Sequence, residues 1–152
     1  MKILLVLLAV FFLAALAWLF YLGYQSRSGS AAGLVAGRLS PCPQTPNCIC
    51  SEFEADSSHY VEAMPLGDAD NKKSMAAIKQ LVEQMGGSIQ VQTAEYMAAR
   101  FTSSIFRYVD DFEVRLDQEN GLIHLRSASR VGRGDLGANL KRIEQFKQGL
   151  GG

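Results

Sequence analysis

The sequence predicts an α+β domain hung from one N-terminal transmembrane helix, and three observations carry that expectation. The chain opens on an uncharged apolar run; its middle has a helical spacing of apolar residues that switches, after a glycine pair, to a period of two; its end returns to helical spacing. Helix, four strands and helix in that order, with short connections, make an antiparallel four-stranded sheet with helices packed on one face.

The opening run, Ile3 to Leu22, has no charged side chain and includes Leu4, Leu5, Val6, Phe11, Phe12, Trp18 and Phe20. About twenty helical residues reach about 30 Å, the thickness of a bilayer core. Trp18, Tyr21 and Tyr24 suit the membrane interface. The competing reading is a cleaved secretory signal, for which Ser28-Gly29-Ser30-Ala31-Ala32 offers small residues. The expected organisation is an anchor over 1–24, a flexible Ser-, Gly- and Ala-rich tether over 25–38, and a single α+β domain over 39–152. Lys2 and the amino terminus stand on one side of the span and Arg27 on the other, a bias that leans towards a cytoplasmic N-terminus and a domain on the outer, periplasmic or extracytoplasmic side.

The chain has 15 basic and 15 acidic residues among its 152. Without a net positive field, nucleic acid is not an expected partner. The expected contacts are the membrane, through residues 3–22, and a lipid or membrane-protein partner beside it.

Between Leu39 and Ser51, Pro41, Pro43 and Pro46 fix φ and remove donors, which excludes regular helix or a central strand and leaves a rigid extended loop. Cysteines stand at 42, 48 and 50. In an oxidising compartment a Cys42–Cys48 loop can close and leave one thiol over, but the odd count leaves the pairing open.

From Asp70 to Met85, apolar Met75, Ile78, Leu81, Val82 and Met85 make one helical stripe that ends at Gly86-Gly87. Alternation follows in Ile89, Val91 and Thr93, and strands are expected at Tyr96–Thr102, Phe106–Asp117 and Leu122–Arg130. Asn120-Gly121 marks a tight reversal between the last two. Asn139 to Gly149, with Leu140, Ile143, Phe146 and, just beyond, Leu150 on one face, is the closing helix.

In the third strand Phe106, Tyr108, Asp110, Phe112, Val114 and Leu116 share a face, which puts the Asp110 carboxylate among apolar neighbours and requires a partner for it. Two hairpin registers keep the faces matched. A two-residue loop opposes Arg115 to Arg126, whereas a four-residue loop opposes Glu113 to Arg126, Asp110 to Ser129, Phe112 to Ser127 and Val114 to Leu125. Like charges directly opposed are unfavourable, so the second register is expected, with the two serine hydroxyls near Asp110.

Beyond that hairpin, Arg126, Ser127, Ser129, Arg130, Gly132, Asp135, Asn139 and Arg142 form a candidate anion cradle: glycines for close backbone approach, arginines for bidentate recognition, and Asp135 or Asn139 to cap the last helix. The purely structural alternative pairs Arg130 and Arg142 with Asp110, Asp111 or Asp135. His59 and His124 are isolated from each other and from the cysteines, so no metal site is expected. Cys48-Ile-Cys50 lacks redox-dithiol spacing, and Ser127 and Ser129 carry no signature of an activated nucleophile. No cofactor motif is present, and Tyr96, Phe101, Phe106, Tyr108 and Phe112 read as core or pocket lining.

Three segments, Cys42-Pro-Gln-Thr-Pro-Asn-Cys48, Arg107-Tyr-Val-Asp-Asp-Phe-Glu113, and Arg126 to Asn139 with Arg142-Ile-Glu144, together resemble the family catalogued as domain of unknown function 1499, over Leu39 to about Leu150. The resemblance implies that Cys42, Cys48, Asp110, Asp111, Arg126, Ser127, Ser129, Arg130, Gly132, Asp135, Gly137, Asn139 and Arg142 belong to the family pattern, and it brings no established activity or cofactor. Cys50 departs from that pattern. Because a Cys48–Cys50 ring would be strained, Cys42–Cys48 is the expected disulfide. The function expected is a non-enzymatic envelope module that binds an amphiphile, lipid or partner protein. A hydrolase or transferase using Asp110 or Asp111 with Ser129 and Arg130, and a structural accessory of a membrane complex, are the alternatives.

Overall fold

The computed structural model describes residues 1–67 and 73–151. Helix α1 runs Lys2–Gln25 and passes through a 3-10 turn at Ser26–Ser28 into a small antiparallel hairpin, β1 (Leu34–Val35) with β2 (Arg38–Leu39). Then come β3 (Cys48–Cys50), β4 (Met64–Pro65), α2 (Met75–Gln84), β5 (Ser88–Gln92), β6 (Tyr96–Thr102), β7 (Val109–Asp117), β8 (Leu122–Ser129) and α3 (Ala138–Gly151). The predicted helix over Asp70–Met85 is found as α2 but starts only at Met75, because Ser74 is extended and caps it; residues 70–72 lie outside the described part of the chain.

The main sheet is antiparallel, with β5, β6, β7 and β8 side by side and both β3 and β4 on the outer edge of β8. Among the described residues it has six strands where the sequence predicts four. The two extra strands are three and two residues long, too short to show alternation. The proline-rich loop does contain no central strand; its last three residues, past Pro46, pair along the edge. The third strand begins at Val109 rather than Phe106, because Arg107 takes a left-handed φ of 62° that breaks the extended run.

The β7–β8 register is the one that charge selects: Glu113 opposes Arg126, Asp110 opposes Ser129, Phe112 opposes Ser127, and Val114 opposes Leu125. Residues 118–121 form the connecting loop, with Gly121 at φ 65°.

Helices α2 and α3 cover one face of the sheet. Met75, Ile78 and Val82 of α2 and Ile143 and Phe146 of α3 bury against Met97, Ala99, Phe112, Val114, Leu116, Ile123 and Leu125. Ser74 caps α2, its hydroxyl accepting from the Ala77 amide at 3.2 Å. The opposite face is covered too, by the stretch that runs from the end of α1 to Phe53, where Leu39, Cys50, Tyr96 and Ala98 pack with Ala31, Cys42 and Phe53.

The segment 25–38 is thus not the flexible tether expected from its composition. Ser26 is buried, the Gly33 amide donates to Glu113 Oε1 at 2.8 Å, and Arg130 donates to the carbonyls of Ser26 and Gly29. Most of these anchoring groups are backbone amides and carbonyls, which every residue carries whatever its side chain, joined by the Ser26 hydroxyl and by Arg38 on Glu52. Cys42 and Cys48 form a disulfide with Cα atoms 5.6 Å apart, and Cys50 is a free, buried thiol. Burial pushes that thiol above its ordinary range.

Candidate functional site

The two faces of β7 separate the residues that the sequence groups together. Asp111 and Glu113 point to the face under the N-terminal segment, while Asp110 and Phe112 point to the helix face. Asp110 and Asp111 therefore cannot act as a carboxylate pair, and the combination of Asp110 or Asp111 with Ser129 and Arg130 does not converge: Arg130 joins Asp111 on one face while Ser129 stands opposite Asp110 on the other.

Each arginine of the candidate anion cradle already has a carboxylate. Arg126 Nη1 donates to Glu113 Oε2 at 2.7 Å. Arg130 grips Asp111 through Nε and Nη2 at 2.8 and 2.7 Å, the bidentate geometry that suits a guanidinium. Arg142 donates to Asp110 Oδ2 at 2.8 Å and lies 4.6 Å over the Phe101 ring. An external anion would have to displace the protein's own carboxylates from these groups.

The two serine hydroxyls predicted to serve Asp110 serve Asn139 and Arg142 instead. Ser127 donates to Asn139 Oδ1 at 2.6 Å, Arg142 Nη1 donates to Ser127 Oγ and Asn139 Oδ1, and Asn139 Nδ2 donates to Ser129 Oγ and to the Asn47 carbonyl. Asn139 is fully buried, and with Asn47, which donates to the Gly132 carbonyl at 2.9 Å, it ties β3, β8, the glycine loop and α3 into one knot. Asp135 caps α3, its carboxylate accepting from the amides of Gly137 and Asn139. Asp110 itself is only half-buried, with its Oδ2 held by Arg142.

What the fold does bring together is a cavity of about 230 Å³ at one end of the sheet, lined by Leu22 of α1, Ser103, Tyr108, Val109, Asp110, Ser129, Val131, Gly132, Gly134, Asp135 and Ala138. Four of the predicted site residues, Ser129, Gly132 and Asp135 from the cradle and the carboxylate Asp110, meet here. No cation lines it. Its charged groups are both carboxylates, its other polar groups are hydroxyls and loop backbone, and its walls are otherwise aliphatic or aromatic. Such a lining carries negative charge and offers both acceptors, on Asp110, and hydroxyl donors, on Ser103, Tyr108 and Ser129.

The end of α1 is keyed into this region. Phe20 meets Phe106 edge-on with ring centroids 5.2 Å apart, and any side chain at Gly23 would collide with the Phe106 carbonyl. The Ser26 hydroxyl donates to the Gly23 carbonyl at 2.7 Å and accepts from the Val109 amide at 3.0 Å.

A second polar cluster, of which the sequence predicts only the opposition of Glu113 and Arg126, occupies the opposite face. Glu113 is fully buried and accepts from Arg126, from the Tyr96 hydroxyl at 2.7 Å and from the Gly33 amide. Next along the sheet, Glu52 holds Arg115 at 2.6 Å and Arg38 at 2.9 Å, with His124 beside it. Burial opposes the Glu52 charge, but the hydrogen bonds from Arg115 and Arg38 outweigh it and keep its carboxyl below the usual range. His124 is pushed the same way by its own desolvation. The hydrogen bond from the Asn120 side chain holds Asp117 at about 2. Alternation placed Glu113 and Arg115 on one face, but nothing local in sequence marks Glu52 as their partner, 63 residues from Arg115.

A family model described as "Protein of unknown function (DUF1499)" matches residues 38–150, well over half of the chain. The chain belongs to that family. The match spans β2 to α3, including Asn47, the disulfide, both polar clusters and the glycine loop, and it begins after α1 and the segment that seats it. The DUF1499 label carries no activity, so the chemistry of this chain rests on its own geometry. No curated protein matches the chain.

Proposed function

We propose that this protein is a single-pass membrane protein whose domain lies on the extracytoplasmic side and binds an amphiphile in the cavity at its α1 end. The carrying observation is the shared lining of that cavity: Leu22, from the apolar helix, stands in the same wall as Asp110, Ser129, Gly132 and Asp135 of the domain. A ligand there has its apolar part against a helix apolar enough to cross a membrane and its polar end against hydrogen-bond acceptors. The matching ligand class is an amphiphile with a hydroxyl- or ammonium-bearing head.

The keying of Gly23 and Ser26 into the domain favours an uncleaved anchor, since cleavage within 28–32 would remove Ser26 and leave the Val109 amide without its partner. The Cys42–Cys48 disulfide favours an oxidising compartment.

Native mass spectrometry of the full chain extracted from membranes tests the reading. A copurifying amphiphile of that class is expected, and it is lost in Ala138→Trp, which fills the cavity from the exposed start of α3. A chain that emerges without lipid, or an Ala138→Trp variant that keeps the same adduct, overturns it.

A further inference from the structure

The arginines of this protein fall into two groups. Five of them, Arg38, Arg115, Arg126, Arg130 and Arg142, are paired with carboxylates along the sheet. The other four, Arg27, Arg100, Arg107 and Arg133, are exposed and have no ion pair among the described residues.

All four lie towards one end of the sheet. Arg27 follows α1; Arg100 is near the C-terminal end of β6, two residues before Thr102; Arg107 is in the β6–β7 loop; Arg133 is in the glycine loop after β8. That end is fixed against α1 by Phe20, Gly23 and Ser26. The opposite end is acidic: an open cleft of about 680 Å³ is lined there by Glu52, Glu54, Glu95, Asp117 and Glu119, and by Arg38, Arg115 and His124, whose partners are already among those acids. A chain with no net charge is thus polarised along its strands.

The basic end also displays apolar side chains. Ile105, in the loop that meets α1 through Phe106, is 70% exposed, and Leu136, in the glycine loop, is fully exposed. Leu136 holds a left-handed φ of 53°, a conformation disfavoured for a side chain of its type, while presenting that side chain outward. Unpaired arginines interleaved with exposed aliphatic residues beside a membrane-spanning helix match an interfacial surface: arginines at the phosphates, Ile105 and Leu136 at the acyl boundary.

We propose that this end of the domain is a second membrane contact, seated on anionic phospholipid of the bilayer that α1 enters. Three things support that single occupant: charge complementarity to anionic headgroups, continuity with α1, and an acidic far end that such headgroups repel. The seat holds the cavity mouth at headgroup level. It rests on the reading of α1 as a retained anchor.

Hydrogen–deuterium exchange of the full chain in nanodiscs tests the seat, comparing phosphatidylcholine alone with phosphatidylcholine plus phosphatidylglycerol. Amides of residues 104–107 and 133–136 are expected to exchange more slowly in the anionic discs, and added salt should remove the difference. Each replacement among Arg27→Gln, Arg107→Gln and Arg133→Gln should cut that extra protection about fivefold, with amides inside β7 unchanged as the control for folding. Equal exchange in both discs, with α1 inserted, overturns the seat and leaves the anchor standing. A chain that does not incorporate into either disc overturns both.

Discussion

The two faces of the central sheet are covered by different physics. On one side α2 and α3 bury an aliphatic and aromatic core whose contacts are non-directional, each fully buried large side chain contributing about 1.5–3 kcal/mol. On the other side a segment with little regular structure covers a row of ion pairs, Arg130 with Asp111, Arg126 with Glu113, and Arg115 and Arg38 with Glu52. The first face tolerates repacking so long as volume is conserved. The second is directional: Glu113 accepts from three separate elements, so its bonds fix where the N-terminal segment sits as well as how β7 pairs with β8. The contrast teaches that an irregular cover needs buried polar contacts to choose one position, whereas amphipathic helices are placed by their stripes. It also locates the weak point of the second face. Arg126 Nε is the one buried side-chain nitrogen or oxygen without a hydrogen-bond partner among the described residues, so that guanidinium depends on Glu113 alone.

The largest effect is expected there. Glu113→Ala removes the carboxylate from a buried Arg126 and from the Tyr96 hydroxyl, and breaking one side of such a pair costs about 3–5 kcal/mol. Chemical denaturation of the full chain in detergent should show that loss, and Arg126→Met in the same background should restore part of it by removing the orphaned charge. A Glu113→Ala variant as stable as the parent would mean that the ion-paired face does not hold the cover. The next effect concerns the same cover at the edge of the sheet. Replacing both disulfide cysteines, Cys42→Ser with Cys48→Ser, should lower stability by about 2 kcal/mol, the chain-entropy value for so short a loop. The loss should show as faster proteolysis before Cys48, with α2 and α3 unaffected. Cleavage distributed evenly over both faces would break the distinction between them.

The sequence makes the helix face legible and the other face only half so. Period and spacing found α2, β5 to β8 and α3, because each carries several turns or alternations of apolar residues. Charge found the β7–β8 register, because opposing Arg115 to Arg126 is unfavourable where opposing Glu113 to Arg126 is not. The same alternation placed Asp110 on the helix face, but its half-buried position and its Arg142 partner depend on where α3 starts, which a strand pattern does not contain. β3 and β4 are too short to have a period, and the segment 25–38 docks largely through its backbone, which leaves no imprint on composition, while its side-chain contacts, Ser26 with the Val109 amide and Arg38 with Glu52, join residues far apart in the chain. The glycine loop was legible as unusual, and its structural alternative already offered Arg130 and Arg142 the carboxylates of Asp110, Asp111 or Asp135. Which arginine takes which, Arg130 with Asp111 and Arg142 with Asp110, is decided only when the hairpin has closed and α3 is seated.

Acid gives the smallest effect and the sharpest separation of the two faces. The core beneath the helices is built of apolar side chains, whereas the covered ionic face holds His124, Glu52 and Asp117, all with protonation displaced downward by folding. For each of them the folded state binds fewer protons than the unfolded chain at a given pH, so stability rises with pH across its window. Above the ordinary histidine value of 6.5 all three contributions are in place. As pH falls below it, the unfolded chain takes up the His124 proton first and stability begins to decline. The Glu52 contribution goes next, below the ordinary value of 4.5, and Asp117 gives way last, as pH approaches about 2. The decline between about pH 6.5 and about pH 5 should therefore vanish in His124→Gln, while the decline at lower pH persists. Thermal unfolding of the two proteins across that range measures it. If the two proteins lose stability in parallel there, His124 is not the group that titrates. Burial on this face would then not be what makes it acid-sensitive, and the contrast with the helix face would reduce to one of packing alone.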